Sequence, residues 1–135
     1  MEVTGPIKVT LFASSSAPDT DFTAKLVDVY PFGRAVNIVD GIVRARYREG
    51  PTDPSPIEPG RIYEYKIDLG PTANVFRRGH RIRLEVSSSN FPHYDRNPNT
   101  GHEFGRDARV RVAEQTVLHS DAYRSHVVLP VVRAP

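Results

Sequence analysis

The stretch "HRIRLEVSS" (residues 80–88) decides the fold, because apolar and charged residues alternate strictly along it. Ile82, Leu84 and Val86 share one face of an extended chain, and the charged residues between them share the other. Successive side chains of a β-strand point to opposite faces of the sheet, so this pattern is typical of a half-buried strand. We expect its apolar face to pack on a core and its charged face to meet solvent.

Two further stretches, "IKVTLFA" (residues 7–13) and "RIYEYKIDL" (residues 61–69), show the same alternation. One apolar and one polar face are typical of antiparallel sheets that cover a core on one side only. The predicted core of the protein includes the following residues: Leu11, Leu26, Tyr65, Ile67, Ile82, Leu84, Val86 and Leu129.

Four other stretches are rich in β-branched and aromatic residues, which favour strands: residues 22–30, 35–48, 110–119 and 125–132. Gly41 is expected to mark a bulge or a break in the second of them. The chain also contains 12 prolines, which leave few intervals where a long helix could form. We therefore predict an all-β fold, a sandwich of two antiparallel sheets with irregular connections.

Composition narrows the class of protein. A chain of 135 residues suits one domain, and we expect residues 1–135 to form a single β-sandwich. The formal net charge is +2 with both signs interspersed, which does not favour binding to nucleic acid. The sequence has no cysteine, so neither disulfides nor thiolate chemistry is expected. It shows no signal peptide and no membrane span, and we expect a cytoplasmic protein.

The segment "SSSNFPHYDRNPNTG" (residues 87–101) most resembles an active site, because it sets hydroxyl, amide and acidic groups around two aromatic rings. We interpret it mainly as a shaped loop in which Asx side chains close turns, with Phe91 placed against the sandwich or a partner. The alternative is a direct role at the mouth of a partner's active site. The candidate partner or pocket-edge residues are Ser89, Asn90, Phe91, His93, Tyr94, Asp95, Asn97 and Asn99.

A calcium loop is the first chemical alternative for this segment. Asp95, Asn97 and Asn99 follow the D-x-N-x-N pattern of such loops. Gly101, however, comes one residue late for the sharp turn, and Arg106 occupies the position of the bidentate glutamate. We therefore expect no metal and no cofactor.

Catalytic motifs are also missing from the sequence. No two histidines have H-x-x-x-H spacing, and the chain has neither a G-x-S-x-G elbow nor a glycine-rich phosphate-binding motif. A Ser-His-Asp triad built from separate loops is recognised by geometry and stays open at this stage. From the sequence we assign no catalytic residue.

Three long strings carry a resemblance to a known family: residues 19–49, residues 57–101 and "HVVLPVV" (residues 126–132). They resemble the C-terminal β-sandwich domain of the cocaine-esterase and Xaa-Pro dipeptidyl-peptidase family of serine hydrolases. The resemblance implies a jelly-roll, galactose-binding-like fold appended to an α/β-hydrolase domain and a helical cap. It covers nearly the whole chain.

The resemblance also implies a role. In that family the nucleophile, the acid and the histidine belong to the α/β-hydrolase domain, and none of them matches a position here. The implied function is a non-catalytic accessory domain of an enzyme acting on esters, amides or Xaa-Pro peptides. Its partner would be the α/β-hydrolase catalytic domain of the same polypeptide, which it would stabilise and whose pocket it would partly wall. The alternative is an independent carbohydrate- or protein-binding module, which would use Tyr and Phe because the chain has no Trp.

The N-terminus departs from the family pattern, because the resembling domain carries further strands upstream. We therefore expect a fragment or a C-terminal domain of a larger hydrolase that lacks some N-terminal strands. Either "EVTGPIKVTLFASS" (residues 2–15) or its usual neighbour should then present an open sheet edge. This predicts that the isolated domain self-associates, most simply as a symmetric homodimer.

Overall fold

The computed structural model describes residues 1–133, which form two antiparallel sheets with one short 3-10 helix at Ala45–Tyr47. Among these residues no helix is long and apolar enough to span a membrane. The strands are β1 (Glu2–Ser15), β2 (Asp21–Val29), β3 (Ala35–Arg44), β4 (Tyr63–Val75), β5 (Arg81–Ser87), β6 (Gln115–Leu118), β7 (His126–Val128) and β8 (Val131–Val132).

The two sheets confirm the predicted sandwich. The first sheet has the order β4-β1-β6, with β7 and β8 also paired to β1, and the second has the order β3-β2-β5. The chain passes from one sheet to the other between β1 and β2, β3 and β4, β4 and β5, and β5 and β6. This alternation places apolar faces of both sheets against one core.

β1 lies at the centre of the first sheet. Residues 2–13 pair with β4 along one edge, and β6, β7 and β8 pair with parts of the other edge. Of the two alternatives for an open edge, residues 2–15 are excluded, because the short C-terminal strands cover that side of β1. The neighbour of β1, β4, pairs only with β1 within residues 1–133, so its outer edge carries no strand, as the second alternative expected.

The core agrees with most of the sequence prediction. Four predicted members are fully buried: Leu11, Leu26, Tyr65 and Ile67. Three more are half-buried and pack against them: Leu84, Val86 and Leu129. Alternation thus identified the correct face of each strand.

Ile82 was predicted to lie in the core, but its side chain is 39% exposed. It does share a face with Leu84, and the register places it opposite Asp28 of β2. On this face of the sheet the last apolar pair is Leu26 and Leu84. The next pair on the same face contains Asp28, whose carboxylate is bound to His80. The alternation predicted the correct face for Ile82 but not how far its side chain is buried.

Gly41 does not form the bulge that was expected there. It pairs regularly with Ala24, and the register shift of β3 falls near Ile38 instead. A Cβ atom on Gly41 would lie 2.3 Å from the carbonyl oxygen of Asp68 in the opposite sheet. Glycine at this position therefore allows the backbones of β3 and β4 to approach closely.

Three predicted strands are shorter in the structure than in the sequence prediction. Of residues 110–119 only β6 is extended and paired, and the stretch 35–48 leaves the sheet after Arg44. The stretch 125–132 is divided into β7 and β8 around Pro130, which has no N–H for a ladder.

Candidate functional site

A segment without strands joins β5 to β6, and we call its residues 88–114 the end loop. It contains every predicted site residue. The loop packs where β1 ends and β2 begins. The Arg111 guanidinium donates a hydrogen bond to the Ser16 carbonyl (3.0 Å), and the Glu114 N–H donates one to the Ser16 hydroxyl (2.9 Å).

Two buried carboxylates, Asp19 and Asp21, lie under the end loop, and each is only 1% exposed. Arg44 donates two hydrogen bonds to Asp21, of 2.8 and 3.0 Å. Arg46 donates from its side chain (2.7 Å) and from its backbone N–H (3.0 Å) to Asp19. The hydrogen bond to Asp21 is the main reason that the pKa of Arg44 is raised. Paired in this way, the charges tolerate burial.

Asn97 connects the end loop to this charged cluster. Its side-chain amide donates to the carboxylates of both Asp19 and Asp21, each at 2.9 Å. The side-chain oxygen Oδ1 of Asn97 accepts a hydrogen bond from the backbone N–H of Asn99 at 2.9 Å. Asn97 therefore closes an Asx turn, as predicted. Asn99 instead donates its own amide to the Arg111 carbonyl at 3.0 Å. The side chain of Asn97 therefore both closes the turn and binds the two buried carboxylates.

The first part of the end loop lies on the outer face of the second sheet. The Tyr94 hydroxyl donates to the Asp40 carboxylate at 3.1 Å, and His93 Nε2 lies 3.4 Å from the same carboxylate. Burial, followed by the hydrogen bond to Asp40, raises the pKa of Tyr94. The Asp95 carboxylate lies 3.4 Å from Arg44. Asp95 thus forms an ion pair and does not close a turn.

Ser89 and Asn90 stand at the beginning of the loop and bond locally. The N–H of Ser89 donates to the Ser87 hydroxyl at 3.4 Å, and the Asn90 carbonyl accepts the N–H of Tyr94 at 3.1 Å. These bonds end the β5 ladder, as expected of the serine-rich stretch. They bring no nucleophile toward a base.

A second anchor holds the later part of the loop. Arg46 donates to the His102 carbonyl at 3.1 Å, and His102 Nδ1 lies 2.7 Å from the Asp107 carboxylate. Hydrogen bonds from the Thr100 hydroxyl and the Arg109 backbone N–H lower the pKa of Asp107 to about 2. Asp107 therefore remains ionised wherever the loop is folded near neutral pH.

Apolar side chains nevertheless point outward from this anchored loop. Phe91 is 65%, Val110 77% and Val112 90% exposed. Phe91 therefore does not pack on the sandwich, and its placement against a partner stays a prediction. Phe104 lies under the Arg44 guanidinium, 4.3 Å from it, and is also partly exposed. A depression of about 380 Å³ beside it is lined by Arg96, Pro98, Phe104, Gly105, Asp107, Ala108 and Val110.

The polar groups of the end loop bind one another and the adjoining strands. Among residues 1–133 no three His, Asp or Glu side chains come together in a way that could hold a metal ion. The side chains of Asp95, Asn97 and Asn99 are each engaged with a different protein group. Sequence reasoning missed Asp19 and Asp21, although two acidic residues directly before a buried strand were a usable signal.

Residues 1–128 match the X-Pro dipeptidyl-peptidase C-terminal non-catalytic domain. The chain belongs to this family. It is 53% identical to the cocaine esterase of a Rhodococcus species over 135 residues, which is 98% of this chain and 24% of that enzyme. This confirms the resemblance drawn from the sequence.

Solved structures agree with the family. An aminopeptidase from a Thaumarchaeota archaeon superposes with a TM-score of 0.91 and 33% identity over 98% of this chain and 24% of its own. An α-amino acid ester hydrolase superposes with a TM-score of 0.89 and 32% identity over 97% of this chain and 24% of its own. The chain therefore spans about a quarter of the length of these relatives, and the part that it matches is the non-catalytic domain.

Proposed function

We propose that this chain is the accessory domain of a serine hydrolase of the acyl-esterase or dipeptidyl-peptidase type. It packs on the catalytic domain of the same polypeptide through the end loop, stabilises that domain and walls part of its substrate pocket. The names of the relatives, a cocaine esterase, an aminopeptidase and an ester hydrolase, support esters and amides as the substrate class.

The observation that carries this proposal is the contrast within the end loop. Part-buried hydrogen bonds from Asn97 to Asp19 and Asp21 anchor the loop to the sandwich, yet Val110 and Val112 project into solvent. A fixed loop with exposed apolar side chains is suited to a partner surface, because little conformational entropy remains to be lost on docking.

The size of the relatives supports the identity of the partner. The chain matches 24% of the length of the cocaine esterase, so most of a related polypeptide consists of other domains. A neighbour in the same chain is present at high effective concentration, so even a weak interface with the loop would be occupied.

The test uses the polypeptide that carries this chain together with its hydrolase domain. Val110→Asp combined with Val112→Asp should lower both the unfolding midpoint and kcat/KM for p-nitrophenyl esters or Xaa-Pro anilides, because two charges would be buried at the interface. The matched control is Val128→Asp, an exposed valine of β7 in the first sheet. If the double variant and the Val128→Asp control lowered the midpoint and kcat/KM equally, or if neither lowered them, docking through the end loop would be refuted. Specific binding of a carbohydrate by the 135-residue chain would instead favour the independent binding module.

A further inference from the structure

At the end of β2 away from the end loop, the turn from β2 to β3 presents Phe32 entirely to solvent. The N–H of Gly33 donates to the Tyr30 carbonyl (2.9 Å), and the N–H of Tyr30 donates to the Arg34 carbonyl (2.8 Å). Gly33 has a φ of +89°, and Pro31 precedes Phe32. A turn followed by a left-handed glycine is a common three-residue hairpin connection, which holds its tip in one shape.

The fold gives no reason for a phenylalanine at this tip. The central positions of such turns accept most residues and favour polar ones, so the turn itself does not require Phe32. A fully exposed ring adds nothing to the core, whereas a buried phenylalanine removes a large apolar area from water. Phe32 therefore has no packing role within residues 1–133, and its ring is available to contact another surface.

The base of the tip is rigid. His80 Nδ1 lies 2.9 Å from the Asp28 carboxylate, and the two side chains are only 8% and 6% exposed. The ring of His80 packs on Tyr30 with 4.2 Å between centroids. A Cβ on Gly79 would lie 3.4 Å from Pro31, so the turn before β5 lies directly against the β2–β3 turn. Phe32 is thus presented on two turns that are fixed to each other.

Positive charge is concentrated on these two turns and at the beginning of β5, and we call residues 30–34 together with 76–83 the arginine tip. It carries five exposed arginines: Arg34, Arg77, Arg78, Arg81 and Arg83. Arg83 pairs with Glu85 at 3.2 Å, and the other four make no ion pair with any residue from 1 to 133. The nearby Asp28 carboxylate is committed to His80. The two adjoining turns therefore carry four arginines without an ion pair among residues 1–133, of which Arg34 stacks on Tyr30, and one fully exposed apolar ring.

We propose that the arginine tip is a second docking surface, which binds an acidic surface with an apolar socket for Phe32 on the remainder of the same polypeptide. The inference rests on the proposed function, because that function supplies the large neighbouring domain. Arginine and aromatic side chains are the residues most enriched in protein interfaces, and guanidinium groups bind carboxylates in bidentate pairs. The relatives are about four times as long as the stretch they share with this chain, so a neighbour of sufficient size is covalently attached.

The two docking surfaces lie at opposite ends of β2. Nine strand residues of about 3.3 Å each separate them by roughly 25 to 30 Å. A hydrolase domain of several hundred residues is wider than this and can contact both ends. Contacts at two separated points fix the orientation of the accessory domain, which contact at one point would leave free to pivot.

The experiment compares Phe32→Ser and the double variant Arg77→Glu, Arg78→Glu in the longer polypeptide and in the 135-residue chain. We expect the unfolding midpoint of the longer polypeptide to fall by several degrees, and amides of residues 30–34 and of an acidic surface outside this chain to lose protection from hydrogen exchange. The midpoint of the 135-residue chain should not change, since among residues 1–133 Phe32 is fully exposed and Arg77 and Arg78 make no ion pair. Val128→Ser, at an exposed valine of the first sheet, is the control.

Several outcomes would overturn the inference. If the end-loop variants destabilise the longer polypeptide and the tip variants do not, the proposed function stands and the arginine tip is not a docking surface. If the 135-residue chain forms a dimer that Phe32→Ser abolishes, the occupant is a second copy. If the longer polypeptide is unaffected but binds phosphatidylserine vesicles or DNA in a Phe32-dependent way, the occupant is a lipid surface or a nucleic acid.

Discussion

The side-chain amide of Asn97 donates a hydrogen bond of 2.9 Å to the carboxylate of Asp19, a residue 78 positions earlier in the chain. Asp19 lies beneath the end loop, and Arg46 supplies its other donors. A buried carboxylate needs every available donor, since an unpaired charge in the interior is costly. This contact therefore couples the conformation of the loop to the core of the sandwich.

Replacing Asn97 by alanine should loosen the end loop. We expect Asn97→Ala to lower the free energy of unfolding by about 1 to 3 kcal/mol, because two buried carboxylates each lose a donor. Urea denaturation measures the loss, and faster hydrogen exchange confined to residues 88–114 would locate it. Asn90→Ala is the control, since the Asn90 side chain makes no hydrogen bond to residues 1–133. Equal midpoints for the two variants would show that Asn97 does not anchor the loop.

Gly41→Ala should be much more damaging than its size suggests. The new methyl group would lie 2.3 Å from the Asp68 carbonyl oxygen and force the sheets apart. Gly60→Ala separates this effect from backbone strain, because Gly60 has a φ of +83° but open space around it. The strain at Gly60 should cost about 1 to 2 kcal/mol, and the overpacking at Gly41 should cost more. Denaturant midpoints in the reverse order would contradict the close approach of β3 and β4.

The depth of Ile82 can be tested by truncation. Leu26→Ala should cost about 2 to 5 kcal/mol, as for a fully buried leucine. Ile82→Ala should cost about 1 kcal/mol or less, because its side chain is partly exposed and lies beyond the packed core. Equilibrium unfolding in urea measures both. Similar losses for the two variants would mean that Ile82 is buried in solution.

Tyr65 should make stability depend on alkaline pH. Burial raises the pKa of its hydroxyl to about 12, above the ordinary value of about 10, so the folded state favours the protonated form. The contribution of this hydroxyl to the free energy of unfolding is fully present below pH 10 and is lost as the pH rises toward about 12. Absorbance titration should show tyrosines that ionise late, and Tyr65→Phe should remove one of them together with this part of the pH dependence.

Tyr65→Phe should cost little stability at neutral pH. The Tyr65 hydroxyl is buried and has no hydrogen-bond partner among residues 1–133, so its removal leaves no donor or acceptor unpaired. A large loss in Tyr65→Phe would indicate that a bound water or another group satisfies the hydroxyl.

Calcium should leave the protein unchanged. The side chains of Asp95, Asn97 and Asn99 are engaged with Arg44, the Asn99 N–H and the Arg111 carbonyl, and do not converge on one point. A ligand that binds only the folded state must raise the unfolding midpoint, so equal midpoints in millimolar calcium and in chelator are expected. A calcium-dependent rise would restore the D-x-N-x-N interpretation.

The sequence by itself determined the strands and the faces that they bury. In "IKVTLFA" (residues 7–13) each apolar residue of the alternation lies in the core, because side-chain direction along a strand has a period of two whatever the rest of the fold does. The resemblance of long strings of residues also determined the family, which the match over residues 1–128 confirms.

Only the tertiary structure decided how deep each residue lies and what the end loop does. Ile82 and Leu84 follow one pattern, but the core ends between them where Asp28 meets His80. Asn97 was recognisable as a turn residue, but its bond to Asp19 joins segments that are distant in sequence. Periodicity reports local direction, whereas burial and long-range hydrogen bonds depend on which segments the two sheets bring together, and that information is absent from any short stretch of the chain.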